Sequence, residues 1–436
     1  MSISKVKNLI FSLFNKLKNG GFMHLVGSSV INKVLTFCSS IILVRLIPKA
    51  DYGVYSNANN ILSFFILLEG FGMATALLQF GCTNTGEKKK NVWSFCFNFA
   101  MAFQLVLCVA IAITGKFATF KIEGTGEMLL LMSFLPLLRL ISELQRVYMR
   151  TDMMNKQYAF TNNFSTATTV IFSIILSYFF LVNGMIAAQY ISAFATVLFI
   201  LFRYKIKLPS PKNNLEKKEK VELVKFATIA TINNSTASVM SLLGTFILGI
   251  VIGESEVTAS YKVATTIPTA LTFIPTCIMT YIYPYFAKQS DNAKWCIKNF
   301  KKVLILFGAF NVALVGTMII GADIIVPLVF GEQYIDAIPA FRILCLNYIL
   351  HSTLRTIPGQ LLVTQKKLKF NTFVGVSSGL LGTLFNILLV PSYSSTGSAL
   401  ATLLVTCIFA VITPIYLYNV YRKKLKLQSV NSDTSN

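Results

Sequence analysis

The feature that most constrains this chain is the repeated alternation of long apolar stretches with short basic segments. Hydrophobic residues make up 54% of the 436 residues, charged residues only 13%, and the mean hydropathy is +0.65. In soluble domains about a quarter of all residues are charged. Because the bilayer core offers no water to the backbone, apolar stretches of ~20 residues must cross it as helices. The pattern therefore predicts an all-α integral membrane protein.

The apolar stretches divide into about twelve predicted spans, most of them near or above the ~20 residues that cross a bilayer. The fifth and sixth are separated only by a turn around Asn183 and Gly184. The predicted spans are 23–44, 54–80, 91–115, 127–148, 158–182, 184–202, 225–252, 258–287, 300–322, 339–363, 370–390 and 396–420.

The basic residues predict the orientation of these spans. Lys and Arg number 39 against 17 acids, giving a net charge of +22, but they cluster in short segments between alternate spans. This is the positive-inside pattern of membrane proteins rather than a nucleic-acid-binding surface. The opposite connections hold only Arg45, Lys49, Lys116 and Lys121. We therefore expect both termini in the cytoplasm and no nucleic-acid partner.

A polar, basic stretch in the middle of the chain predicts two six-helix lobes. The two halves can be aligned with each other at a nearly constant offset. Tyr55 aligns with Tyr261 at one offset, and Gly184 aligns with Gly397 at a slightly larger one. Two parallel repeats would place a substrate path between the lobes. The predicted organisation is an amphipathic interfacial helix at 1–22, an N-lobe of helices 1–6 at 23–202, a basic cytoplasmic linker at 203–224, a C-lobe of helices 7–12 at 225–420 and a cytoplasmic tail at 421–436.

The connection between the first two spans carries the most specific motif. Residues 44–55, VRLIPKADYGVY, resemble the R-[LI]-[LI]-x-P-x-[DE]-[YF]-G-x-[YF] signature of Wzx-type polysaccharide flippases. These proteins belong to the multidrug/oligosaccharidyl-lipid/polysaccharide exporter superfamily, which also contains the multidrug exporters and the lipid II flippases. The matching residues are Arg45, Pro48, Asp51, Tyr52, Gly53 and Tyr55.

Three further stretches are similar to elements of the same superfamily. Residues 326–337, VPLVFGEQYIDA, resemble the L-x-F-G-x-x-[YF]-x-x-A element before helix 10. Residues 386–391 and 397–402 resemble the motifs of helices 11 and 12, although Ser394 and Ser395 replace the usual glycine-containing turn. Residues 32–37 resemble a pattern in helix 1 of lipid II flippases, and Lys33 occupies the position of the cation in that pattern.

This resemblance implies a fold and an activity. The fold would be that of the multidrug exporters and lipid II flippases. The activity would be translocation of undecaprenyl-pyrophosphate-linked oligosaccharide repeats to the outer leaflet of the bacterial cytoplasmic membrane, by alternating access, for O-antigen, capsule or exopolysaccharide. Such a protein is no enzyme and needs no cofactor or metal. Membrane lipid and the polysaccharide polymerase machinery are expected partners, and either H⁺ or Na⁺ could be the coupling ion.

Ionisable residues inside the spans are the candidate site residues, since each costs roughly 2.5–3.5 kcal/mol at mid-helix if it faces lipid. The cations predicted to bind the diphosphate are Lys33, Lys262, Arg139 and Arg355, and the acids predicted to couple ions or to pair with cations are Glu69 and Glu143. A structural role stays open for each of them: Glu69 could pair with Lys33, and Glu143 with Arg139 or Arg146.

Three prolines in the eighth span are candidate hinges, because each removes a backbone hydrogen bond and favours a kink. They are Pro268, Pro275 and Pro284. In the eleventh span Gly375, Gly379 and Gly382 predict close helix packing.

Two other functions stay open at this point. A multidrug cation antiporter of the same superfamily would need a path dominated by acids and aromatic residues, whereas here cations outnumber acids inside the spans. A membrane polysaccharide polymerase or ligase would need catalytic groups in long outer loops. The longest outer loop, about residues 115–128, contains no acid–base constellation.

Overall fold

The computed structural model describes the backbone of residues 22–433, and the side chains of that range apart from 22–26, 233, 234, 236–238, 240, 241, 280, 284, 368 and 429–433. The predicted interfacial helix therefore lies almost entirely outside the described residues. The described chain is helical, without strands. Its α-helices are α1 (Phe22–Leu46), α2 (Lys49–Ile66), α3 (Met73–Thr83), α4 (Gly86–Phe117), α5 (Thr125–Met132), α6 (Leu135–Thr151), α7 (Asn155–Tyr204), α8 (Lys217–Val251), α9 (Ser255–Leu271), α10 (Phe273–Lys288), α11 (Ala293–Ile320), α12 (Ala322–Phe330), α13 (Ile338–Leu350), α14 (Ile357–Thr364) and α15 (Leu368–Asp433).

Three short elements join some of these helices. They are the 3₁₀ turns Glu69–Gly72 and Glu332–Ala337 and the π-helical segment His351–Thr356. The turn Glu69–Gly72 lies within span 2 and the π-helical segment within span 10, so both spans are built from several pieces rather than from one straight helix.

Eight described helical segments are long and apolar enough to cross a membrane, which makes this a multi-pass membrane protein. Two of them hold 50 and 60 residues. At 1.5 Å per residue these would be about 75 and 90 Å long, more than twice a ~30 Å hydrocarbon core. Each must therefore contain two spans. The all-helical membrane fold is confirmed, and the count of twelve spans is consistent with it.

Both long segments are interrupted at a single residue with positive φ. Leu181 has φ 50° and ψ −129° within α7, and Ser394 has φ 53° and ψ −131° within α15. An L-residue rarely adopts this conformation, so the helix cannot continue through it. These breaks provide the boundaries that the sequence predicted between spans 5 and 6 and between spans 11 and 12.

The two breaks are also the best structural evidence for the internal repeat. Leu181 and Ser394 are 213 positions apart, as are Gly184 and Gly397. A Cβ on Gly184 would meet the backbone carbonyl of Leu176, and one on Gly397 would meet that of Leu389, again 213 positions further on. The offset read from sparse sequence identities is therefore the offset at which backbone geometry repeats.

The chain divides into two compact units. Of the described residues, unit 1 comprises 22–48, 61–119 and 124–235, and unit 2 comprises 49–60, 120–123 and 236–433. Unit 1 thus contains most of the predicted N-lobe, but the first part of α2 belongs to unit 2 and much of α8 to unit 1. The domain boundaries drawn from the sequence stay a prediction.

Each unit has its own apolar core. In unit 1, Trp93 of α4 packs with Leu144 of α6, Met73 of α3 and Leu223 of α8. The segment between α7 and α8 is held against α4 by the hydroxyl of Ser94, which donates to two backbone carbonyls of that segment. The core of unit 2 is formed by residues from α10, α11, α14 and α15, and it contains more buried aromatic residues than the core of unit 1. Its buried aromatic members are Phe286, Phe300, Phe307 and Tyr421.

The second span is broken in the middle by three consecutive residues with left-handed backbone. They are Gly70 (φ 55°), Phe71 (φ 50°) and Gly72 (φ 68°). Glycine is favoured at Gly70 and Gly72 because it adopts a positive φ without strain. There is also little room for a side chain: a Cβ on Gly70 would crowd the Leu140 side chain, and a Cβ on Gly72 would overlap the Thr231 hydroxyl. This break was not predicted from the sequence.

Polar side chains of unit 1 satisfy backbone groups at the break. The Gln104 side chain accepts a hydrogen bond from the Gly70 amide at 3.0 Å, and the Ser235 hydroxyl donates to the Leu67 carbonyl at 2.8 Å. Inside a membrane an unpaired backbone group costs several kcal/mol, so these two side chains allow the break to exist.

The eighth span is divided at Thr272, between α9 and α10, and proline chemistry explains why. Pro275 has no amide hydrogen, so the Leu271 carbonyl loses its helical partner. The Tyr348 hydroxyl donates to that carbonyl instead, at 3.0 Å. Pro268 lies inside α9, and the Pro284 side chain is outside the described set. The hinge role of these prolines stays a prediction.

The glycine-based packing predicted for the eleventh span is not found at two of its three positions. A Cβ on Gly375 would meet nothing within 4 Å, and one on Gly382 would only touch Val405 at 3.9 Å. The four-residue spacing of the glycines could not show which face of this long helix contacts a neighbouring helix. No described residue packs closely at Gly375.

Candidate functional site

The signature turn joins α1 to α2, and its residues have distinct local roles. Pro48 precedes the first turn of α2 with φ −53° and ψ 141°, an extended conformation that ends α1 and starts α2. Asp51 lies in that first turn, where a negative charge favours the helix dipole. Arg45 is in the last turn of α1, where a positive charge is favoured.

The aromatic and glycine positions of the signature belong to unit 2. Tyr52 is buried, and its ring centre lies 6.4 Å from that of Tyr55. Gly53 lies so close to the Ser255 backbone that a Cβ would overlap its carbonyl group. The glycine of the motif is therefore explained by a close approach of α2 to the start of α9.

Two of the motifs found in the sequence meet in the structure of unit 2. The Lys49 ammonium, from the signature turn, lies 2.7 Å from a carboxylate oxygen of Asp336, from the element at 326–337. The other carboxylate oxygen accepts a hydrogen bond from the Ser260 hydroxyl at 2.7 Å. Lys49 also lies over the ring of the buried Tyr334, 5.5 Å from its centre. This clasp of Lys49, Asp336 and Ser260 joins the ends of α2 and α9 that the orientation predicts to face outside.

Two of the charged residues of α6 form an ion pair within unit 1. Arg146 pairs with Glu143 at 2.8 Å, and Arg139 donates to the side-chain oxygen of Gln189 at 2.7 Å. Glu69, at the break in the second span, lies within electrostatic range of Arg139, Glu143 and Arg146. Among the described residues no ion pair joins Glu69 to Lys33. Glu69 therefore lies near the charged residues of α6, and its role stays a prediction.

Arg355 lies in the π-helical segment of unit 2. Its guanidinium donates to the Ser378 hydroxyl at 2.8 Å and lies 5.6 Å from the ring centre of Phe409. In the same segment, Ser352 and Thr353 accept hydrogen bonds from the buried amide of Asn311, each at 2.9 Å. Arg355 is therefore a half-buried cation with neutral partners, and π-helical segments often occur at functional sites.

Lys33 and Lys262 differ from the other cations of the spans. Lys33 lies near the middle of α1, and Lys262 lies two turns into α9. Both side chains are exposed. None of the ion pairs between described residues involves either lysine. The role of these two lysines in binding a diphosphate stays a prediction. Within unit 1, the structure brings Glu69, Arg139 and Glu143 near one another.

Within the described part of the chain, no three His, Cys, Asp or Glu side chains form a group that could hold a metal ion. Sequence reasoning missed the partner roles of Asp336, Gln104 and Gln189. Only for Asp336 was a signal present, since it carries a charge opposite to that of Lys49 within a second motif of the same family.

Comparisons with known proteins place these features in a family. The sequence profile of the family described as polysaccharide biosynthesis protein matches residues 42–339, which include the signature turn and the element at 326–337. The chain is also 25% identical over 351 residues to the lipopolysaccharide biosynthesis protein WzxC of Escherichia coli (strain K12), an alignment covering 76% of this chain and 68% of WzxC.

Two solved structures share the fold at low sequence identity. The lipid II flippase MurJ in an inward closed conformation has a TM-score of 0.72 at 13% identity, covering 94% of this chain and 92% of MurJ. An inward-facing multidrug resistance MATE family transporter has a TM-score of 0.70 at 13% identity, covering 92% of this chain and 99% of the transporter. The fold predicted from the motifs is confirmed, and because the family profile matches more than half of its residues, the chain belongs to the polysaccharide biosynthesis protein family.

Proposed function

We propose that this protein is a flippase. It moves undecaprenyl-pyrophosphate-linked oligosaccharide repeat units from the inner to the outer leaflet of the bacterial cytoplasmic membrane, by alternating access. The repeats serve the assembly of O-antigen, capsule or exopolysaccharide. The cargo is transported without chemical change, so the protein is no enzyme. Both termini lie in the cytoplasm.

The observation that carries this proposal is the presence of two exposed lysines in apolar spans, without an ion pair among the described residues. An ammonium group at mid-span costs roughly 2.5–3.5 kcal/mol if it faces lipid. That cost falls when the group faces water or an anion. A diphosphate supplies several oxygen atoms that accept charge-assisted hydrogen bonds. Lys33 and Lys262 therefore match the charged part of a lipid-linked oligosaccharide.

A relative in sequence supports the same cargo class. WzxC, which is 25% identical over 351 residues, is by its name a lipopolysaccharide biosynthesis protein. The likenesses to MurJ and to a MATE transporter, each at 13% identity, concern the fold alone and favour neither a lipid-linked nor a drug-like cargo. An organic cation would be repelled by Lys33 and Lys262, and this argues against the antiporter alternative.

The energy source and protein partners follow as further parts of the proposal. Glu69 is the acid best placed to bind a coupling ion, H⁺ or Na⁺, because it lies at a break in a span beside both acidic and basic groups. Membrane lipid contacts the exposed apolar side chains. The polymerase machinery receives the repeats on the outer leaflet.

Deletion of the gene in its own host tests the proposal. We expect surface polysaccharide to be lost and lipid-linked repeats to accumulate on the inner leaflet, because the repeats are still made but not moved. Both are measured in the same cells, by surface glycan staining and by lipid extraction after leaflet-selective labelling. A plasmid copy of the wild-type gene should restore both. Unchanged surface glycan with altered resistance to cationic dyes would instead support the antiporter.

A further inference from the structure

A polar face runs along the eighth span of unit 2, and it starts at Lys262. Positions 262, 265, 266, 269 and 272 follow the three- and four-residue spacing that places side chains on one side of a helix. Four of these positions are threonines: Thr265 and Thr266 are partly exposed, and Thr269 and Thr272 are exposed. We call Lys262 and these four residues the threonine face.

The opposite side of the same helix is packed. Tyr261, Ala264, Ile267 and Pro268 are all buried. The helix therefore turns its bulky apolar residues toward its own unit and leaves the hydroxyl-bearing side open. A lipid-facing surface would show the reverse order, with large apolar side chains outward, as found for Ile305 and Leu306 of α11, which are 69% and 60% exposed.

Three of these four threonines already donate their hydroxyl protons within the helix. Thr265 and Thr266 both donate to the Lys262 carbonyl, at 2.7 and 2.9 Å, and Thr272 donates to the Thr269 carbonyl at 2.7 Å. A hydroxyl that donates in this way keeps its lone pairs as acceptors. The face therefore offers hydrogen-bond acceptors to a ligand, next to the positive charge of Lys262.

Back-bonded threonines are also tolerated against lipid, so the hydroxyls alone do not identify a ligand. Lys262 decides between a lipid-facing and a ligand-facing side of the helix. The lysine and the four threonines lie on the same side, so that side cannot face lipid at the threonines and water at the lysine. The ligand of this face must present an anion at one end and hydrogen-bond donors along its length. Phosphate oxygens only accept hydrogen bonds, whereas sugar hydroxyls and acetamido groups donate them.

The geometry points to the threonine face as the binding track for the glycan part of the lipid-linked cargo, with the diphosphate on Lys262 and sugar O–H or N–H groups donating to the threonine oxygens. This inference rests on the proposed flippase function and adds to it the residues that recognise the sugars. Because acceptor oxygens at helical spacing select for donors rather than for one sugar, the face would accept related repeats.

The test compares two probes in detergent-solubilised full-length protein: undecaprenyl pyrophosphate without sugar, and the lipid-linked repeat extracted from the deletion host. In the variant that combines Thr266→Val and Thr272→Val, two acceptors are lost at nearly constant shape. We expect affinity for the glycan-bearing lipid to fall about 5- to 150-fold, the range for two hydrogen bonds. Affinity for the glycan-free lipid should stay unchanged. Serine at both positions should restore binding.

Thr317→Val in α11 is the matched control. Thr317 is likewise exposed and donates to a backbone carbonyl, that of Leu314, at 2.7 Å, but it lies outside the threonine face. Equal affinity of the double valine variant and the wild type for the glycan-bearing lipid would overturn the inference, as would an equal loss for both probes. If the wild type binds neither probe, the proposed function itself fails, and the two failures are thereby distinguished.

Discussion

Replacing Lys33 or Lys262 by alanine should abolish most polysaccharide export while the protein still reaches the membrane. Each substitution removes an ammonium group that, in our account, binds the diphosphate of the cargo. A hydrogen bond to a charged group is worth about 1.5–3 kcal/mol, or roughly a 10- to 150-fold change in affinity. Surface polysaccharide in the complemented deletion strain measures the effect, at membrane expression matched by immunoblotting.

Conservative and distant variants make this result specific. Lys33→Arg and Lys262→Arg keep the charge and should retain substantial export. Lys207→Ala removes an exposed lysine from the segment between α7 and α8 and should have no effect. If the arginine variants fail as completely as the alanine variants, the lysines have a structural role and the anion-binding account of these two residues is wrong.

Gly184→Ala and Gly397→Ala should each strongly destabilise the protein, and by similar amounts. In both cases the new methyl group would overlap a backbone carbonyl of the preceding helix, that of Leu176 or of Leu389. A carbonyl inside a hairpin cannot rotate away as a flexible side chain can. Overpacking of this kind costs about 1–3 kcal/mol, occasionally more. The fall in melting temperature of the purified protein measures it.

Gly375→Ala is the control for this pair, because a Cβ there would meet nothing within 4 Å. It should leave the melting temperature unchanged or raise it slightly, since alanine favours a helix over glycine. A large effect at only one of Gly184 and Gly397 would contradict the view that the two hairpins are equivalent parts of an internal repeat.

Much of the fold could be predicted from the sequence because bilayer thickness limits what an apolar stretch can do. The segments of 50 and 60 residues had to contain a break, and the turn expected near Asn183 and Gly184 is found two residues earlier, at Leu181. The offset between the halves also returned in the structure, in the paired breaks at Leu181 and Ser394. These features depend on local sequence and on length, which a single chain records.

The interruption at Gly70–Gly72 was not predicted, because its causes are distant in sequence. The amide of Gly70 donates a hydrogen bond to the Gln104 side chain, and the Leu67 carbonyl accepts one from the Ser235 hydroxyl. The space beside Gly72 is limited by the Thr231 side chain. No periodicity within the second span records these contacts. The division of α2 between the two units is a tertiary property of the same kind.

The candidate site was predictable in its residue types and less so in its pairing. The cost of burying charge singled out Lys33, Lys262, Arg139 and Arg355 among many cations. It could not show that Arg139 and Arg355 have neutral partners in Gln189 and Ser378, while the two lysines stay exposed. Side-chain direction on a helix depends on which neighbour packs against it, and that information lies in the other helices.

Flipping of the lipid-linked repeat can be followed directly in proteoliposomes. The purified protein is reconstituted into vesicles that carry the lipid-linked repeat from the deletion host, and the repeat exposed on each leaflet is followed by a membrane-impermeant glycan label. We expect rapid exchange of the whole pool with wild-type protein and slow exchange with the double variant Lys33→Ala/Lys262→Ala. If wild-type vesicles label no faster than protein-free vesicles, under an inward or outward gradient of H⁺ or of Na⁺, the protein is not a flippase for this lipid.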